Sequence, residues 1–138
     1  MSRVMLIAAD KPLPLCSLCE VRTRTVTVEG TAHTISFPCG FQVSEHSYYR
    51  SCVDAFNYPM KPYQYELDLA AHETDLAHLK AYLLENFSSG ESAEIWSIWV
   101  GTLPDRIPLR SYIPVADFDM SALQQLLCAD DFCITITI

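Results

Sequence analysis

The stretch Tyr63-Gln64-Tyr65-Glu66-Leu67-Asp68-Leu69 alternates apolar and polar residues, and the next periodic stretch does not. Over Asp75–Phe87 the apolar residues Leu76, Leu79, Leu83 and Phe87 recur at helical spacing. A period of two sends successive side chains to opposite faces of a strand, whereas a period near 3.6 gathers them on one stripe of a helix. The two stretches therefore read as a strand followed by a helix. Ala93–Gly101 returns to a strand and Met120–Leu127 to a helix. The chain closes on Phe132-Cys133-Ile134-Thr135-Ile136-Thr137-Ile138, which alternates again. With a short strand over Leu109–Ile113, the order from residue 63 onward is βαββαβ.

That order predicts an α+β fold, an antiparallel sheet with helices on one face in the ferredoxin-like, split-βαβ arrangement. In the last strand Phe132, Ile134, Ile136 and Ile138 share one face, and Cys133, Thr135 and Thr137 share the other. One apolar and one polar face is the pattern of antiparallel sheets, because doubly covered parallel strands are apolar throughout. Pro108 sets a condition on this topology. The third strand is central in the ferredoxin-like order, and a proline there cannot donate to the ladder, so Pro108 must stand at the strand's very start.

Toward the N-terminus, Val4–Ala9 reads as a short strand and Asp10–Leu15, with two prolines, as an extended linker. Val21–Val28 and Thr31–Phe37 are rich in β-branched residues and meet at Glu29-Gly30, a two-residue hairpin connection. Ser44 is placed to cap a helix over Glu45–Phe56, with Tyr49, Cys52, Val53 and Phe56 as its buried stripe. The expectation is one domain over residues 1–138, with 1–62 a β-rich extension carrying one helix and 63–138 the βαββαβ core.

Half of the 138 residues are hydrophobic and 19% are charged, below the usual quarter. Such a chain folds, and it has apolar surface left over for a partner. The net charge of −8 is uneven. Residues 1–62 carry six basic and five acidic side chains, whereas residues 63–138 carry three basic and twelve acidic ones. That acidic half argues against nucleic acid and anionic membrane surfaces, which are bound through Lys/Arg clusters. The apolar run before Asp10 is too short for a signal peptide or a membrane span. A cytoplasmic protein with reduced cysteines is expected. With four glycines, no Gly-rich phosphate loop can be built.

Few motifs carry chemistry. Cys16-Ser17-Leu18-Cys19 puts two thiols at metal-binding or redox spacing, with Cys39 available nearby in sequence, but no second such pair exists to complete a zinc site. These thiols are expected to be incidental, and neither metal nor cofactor is expected. Nothing in the sequence sets a base beside Cys128 or Cys133. The histidines His33, His46, His72 and His78 are expected at the surface or its boundary. Asp117 or Asp119 should cap the helix that follows.

Two groups of residues remain as candidate sites. Tyr48, Tyr49, Arg50, Lys61 and Tyr63 combine aromatic rings, hydroxyl tips and cations, as a pocket for a small anionic or planar ligand does. The same residues suit a corner that seals a core. The strand Glu94–Val100 is apolar on both sides. With Trp96 turned to the helices, Ile95 and Trp99 would join Glu66 and Asp68 on the open sheet face as an interface. The sequence thus points to a non-catalytic binding or regulatory protein, taking a protein partner or forming a homodimer. A small enzyme or ligand-binding protein built on the Tyr49/Arg50/Lys61 corner is the alternative, and a zinc-stabilised module on Cys16 and Cys19 is a third.

Overall fold

The strand at the middle of the fold comes from the N-terminus. In the computed structural model, which describes residues 2–18, 20–101 and 107–138 and the side chains of all of these but 20–22 and 37–39, β1 (Ser2–Ala9) pairs on both edges. One neighbour is β6 (Tyr63–Asp68) and the other is β7 (Ser92–Val100). Around them, β2 (Cys16–Ser17), β5 (Gln42–Glu45), β8 (Leu109–Pro114) and β9 (Phe132–Thr137) complete a seven-stranded sheet in the order β2-β5-β6-β1-β7-β9-β8. All neighbours are antiparallel except β8 and β9. Strands β3 (Glu20–Val28) and β4 (Thr31–Cys39) form a separate two-stranded ribbon. The molecule is mixed α+β with a mostly antiparallel sheet, as the alternation implied.

Both faces of the sheet are covered, by different means. On one face Met5, Ile7, Ala9, Ile95, Ile134 and Ile136 meet Leu79, Tyr82 and Leu83 of α2 (Glu73–Asn86) and Leu123 and Leu126 of α3 (Met120–Cys128). Each fully buried side chain of this size stabilises the fold by about 1.5–3 kcal/mol relative to exposure. Asp119 caps α3 by accepting from the Ala122 N–H at 2.9 Å, as expected. On the other face Val4, Leu6, Ala8, Trp96, Ile98, Val100 and Cys133 lie beneath Val53 of the five-residue α1 (Arg50–Asp54). Tyr49, Phe56, Tyr58 and Met60 pack on the same cluster. Residues 49–60 thus form a strap across the face that the sequence left open.

Five expectations are corrected. The strand order is not the split-βαβ one, because β1 lies between β6 and β7 where the ferredoxin-like order has no strand from outside the unit. Residues 1–62 are therefore not an appendage, since they supply the central strand. Strand β8 is an edge rather than central, which removes the difficulty with Pro108, a residue lying just before it. The helix expected over Glu45–Phe56 is cut to α1, because Gln42–Glu45 satisfies its backbone as β5 against the free edge of β6. Finally, Trp96 faces the strap and Ile95 faces the helices, the reverse of the assumed orientation. No helix among the described residues is long and apolar enough to cross a membrane.

Candidate functional site

The feature that stands apart from the packed sheet is the ribbon. Its root pairs Cys16 with Val43 and Ser17 with Gln42, the Leu18 N–H donates to the Phe41 carbonyl at 2.8 Å, and the ladder resumes at Glu20 and Cys39. From Glu20 and Cys39 the register runs to Val28 and Thr31, with the same offset as the β2–β5 pair. Glu29 and Gly30 close the ribbon with positive φ of 52° and 77°, the left-handed pair that a tight I′ turn requires. Glycine supplies this conformation freely and glutamate does so at a cost. The root is anchored where β5 pairs with β6. Beyond it the ribbon is bare: every described side chain from Thr23 to Ser36 is exposed except Val26, which is half-buried.

The two ribbon faces differ. Arg24 stands opposite Ile35, Val26 opposite His33 and Val28 opposite Thr31 on one face. The other carries Thr23, Thr25, Thr27, Ala32, Thr34 and Ser36. Val28 and Ile35 keep 53% and 51% of their surface in water.

The tyrosine corner is only partly assembled. Arg50 and Tyr63 line a shallow cavity of about 290 Å³ together with Glu45, His46, Ser47 and Gln64. Tyr49 instead borders a smaller cavity of about 60 Å³ with Arg3, Glu66 and Asp68. Tyr48 is exposed and packs edge-on against Tyr49 at 4.7 Å between ring centroids. Lys61 is withdrawn from the group, its ammonium paired with Asp10 and its backbone N–H donating to Glu94 Oε1 at 2.8 Å.

His46, expected at the surface, is buried beside this cavity with both ring nitrogens unpartnered. Its Nδ1 lies 3.7 Å from Glu66 Oε1, too far for a hydrogen bond. Burial holds its pKa below the ordinary histidine value, against the opposing pull of the Glu66 carboxylate.

What the sequence did not suggest is how the strap is locked. Tyr58 stacks between Phe56 at 5.3 Å and Trp96 at 5.8 Å, and its hydroxyl donates to Asp131 Oδ2 at 2.5 Å. The guanidinium of Arg110 sits 4.9 Å over the Trp96 ring and donates to the Pro59 carbonyl at 2.9 Å. Glu94, buried on this face, accepts from Trp96 Nε1 at 3.3 Å and stands 3.9 Å from Arg110. A lone carboxylate in a strand that otherwise reads Ser, Ala, Ile, Trp, Ser, Ile, Trp, Val was the available signal.

The four proposed interface residues are divided between the faces. Ile95 is buried under the helices, and Trp99, half-buried, donates from Nε1 to the Ala129 carbonyl at 3.3 Å with Arg3 5.8 Å over its ring. Glu66 and Asp68 lie on the strap side. Of the cysteine group, Cys16 is half-buried in β2, while Cys19 and the side chain of Cys39 lie outside the described residues. Among the described residues, no three His, Cys, Asp or Glu side chains are grouped so as to hold a metal ion. Burial pushes the Cys133 thiol up to about 12, which suits a packing residue. Comparison with protein-family models, with curated proteins and with solved structures gives no match.

Proposed function

We propose that this chain is a non-catalytic protein-binding module, working in the cytoplasm, and that the ribbon arm is its binding element. The observation carrying this reading is the bare arm. A two-stranded hairpin is marginal on its own in water, and three strands or a packed face are needed for independent stability. Nine residues on each strand, with Val28 and Ile35 in solvent and two edges unpaired among the described residues, constitute a surface suited to a partner. The acidic domain behind it favours a protein partner, or a second copy, over nucleic acid.

The cavity at Arg50 and Tyr63 supports the alternative of a small-ligand or enzyme site. It offers one exposed cation beside Glu45, a mixed lining that selects no ligand class as plainly as the arm selects an extended backbone. A zinc-stabilised module would need Cys16 and Cys19 as ligands, and stoichiometric zinc lost in Cys16→Ser would establish it.

The test is photo-crosslinking in the cell that makes the protein. A photoreactive residue at position 28 or 35 should give adducts of discrete mass, and the same residue at exposed Glu85 on α2 should give none. Equal adducts from all three positions, or none from the arm, would refute the assignment.

A further inference from the structure

Resting on that reading, we infer that the arm's partner is a second copy of this chain, and that the arm docks along the open edge of that copy's β8. Among the described residues, strand β8 is hydrogen-bonded to β9 on one side only. Leu109 donates its N–H to Asp131 across that pair, so by alternation the N–H groups of Arg110 and Tyr112 point away from the sheet. Beside the exposed Arg110, the strand carries apolar surface in water, with Leu109 at 57% and Tyr112 at 71% exposure and Ile107 at 92% just before it. Edges of this kind are where an extended segment adds as a new strand.

The arm and β8 complement each other. The arm brings free backbone edges, the β-branched Val26, Val28 and Ile35, and an exposed Arg24. Strand β8 brings Leu109 and Tyr112 and is followed at once by the exposed Asp117, within a half-chain that carries three basic and twelve acidic residues. Aromatic against β-branched cross-strand pairs and opposite charges are the favourable combinations between neighbouring strands.

Within one molecule the two surfaces belong to opposite ends of the strand order. The arm follows the β2/β5 edge with the same register offset, while β8 is the opposite edge of the sheet. Six strand spacings separate those edges, about 29 Å, and an in-register ribbon about 30 Å long does not turn back across them. Between two copies the exchange is reciprocal, each arm lying on the other's β8, which closes with two-fold symmetry and leaves no surface for further growth.

The experiment is light scattering on size-separated full-length protein at about 50 μM, within the range where a micromolar dimer is populated. Wild type should run at twice the 15.6 kDa chain mass. Val28→Asp with Ile35→Asp on the arm should halve that mass. So should Tyr112→Pro, which removes an outward N–H but leaves the β8–β9 ladder intact. Tyr112→Lys, which leaves the backbone alone, should weaken the dimer at least tenfold and covers the case in which the proline variant fails to fold. Mixed in equal amounts, the arm variant and Tyr112→Pro should form a heterodimer, because one arm and one β8 edge remain intact between them. A monomeric wild type, or a folded Tyr112→Lys protein that dimerises as wild type does, would overturn the inference. Arm adducts to a different protein in the crosslinking experiment would then leave the binding-module reading standing, and absent adducts would remove both.

Discussion

Truncating Glu94 should release the strap. The Glu94 carboxylate is 8% exposed, and its Oε1 accepts two hydrogen bonds, from the Lys61 N–H at 2.8 Å and from Trp96 Nε1 at 3.3 Å. Glu94→Ala leaves both donors without this acceptor, at about 1–3 kcal/mol each. Arg110 loses a carboxylate 3.9 Å away but keeps the Pro59 carbonyl and the Trp96 face. Its side chain is 29% exposed, so this loss adds less than about 1 kcal/mol. The expected total is about 3–5 kcal/mol, in the range for removing one member of a buried charged network. Glu94→Gln keeps an oxygen for both donors and should cost less than about 1.5 kcal/mol. Urea unfolding followed by tryptophan fluorescence measures both, since Trp96 lies in the stack that the strap covers. If Glu94→Ala costs under about 1 kcal/mol, the strap is held by its aromatic packing alone. If Glu94→Gln costs as much as Glu94→Ala, the charge opposite Arg110 matters and the acceptor geometry does not. Either result would refute the reasoning.

Leu83, fully buried between α2 and the sheet, should lose about 2–5 kcal/mol on replacement by alanine, from transfer energy and the cavity left behind, read as a shift in the urea midpoint. His46 predicts a pH dependence. Its folded pKa lies below the ordinary value of about 6.5, so the unfolded chain takes up a proton that the native fold resists. Stability is then full above about pH 6.5 and falls as the pH drops from there toward the folded value. His46→Gln should flatten that fall in acid-denaturation curves, and an unchanged slope would show that other groups set it. The groups facing the imidazole are Glu66 from β6 and Arg50 and Asp54 from α1.

How much of this was legible follows from what each signal depends on. The strands Tyr63–Asp68 and Phe132–Thr137 and the helix around Leu79 and Leu83 were readable, because their periodicity reports local geometry and one-sided burial together. The hairpin was readable from Glu29-Gly30, since few sequences tolerate two successive positive φ values. Strand order was not readable. From Val4 to Ala9 the sequence of β1 is apolar, which says that both faces are covered but not which strands flank it. The helix over Glu45–Phe56 failed for a related reason. A strand such as Gln42–Glu45 is decided by the free edge of β6, a partner some twenty residues away, and local capping signals cannot register it. At the site, Arg50 and Tyr63 do line one cavity, but Lys61 is drawn off by Asp10. Only the folded chain brings that carboxylate near.

The central position of β1 also governs how the molecule is assembled. Leu6 lies opposite both Glu66 and Trp96, so its two partners emerge sixty and ninety residues after it. A sheet whose keystone is joined last by such distant segments has high contact order, and closure of those long loops precedes any reward from pairing. During synthesis, Val-Met-Leu-Ile-Ala-Ala has two bare edges until β6 is made and one until β7 is complete. An apolar, uncharged segment of that length, unpaired, is the kind that joins other chains edge to edge. The strand that holds the finished sheet together is thus the one most open to mispairing while the rest of the protein is being made.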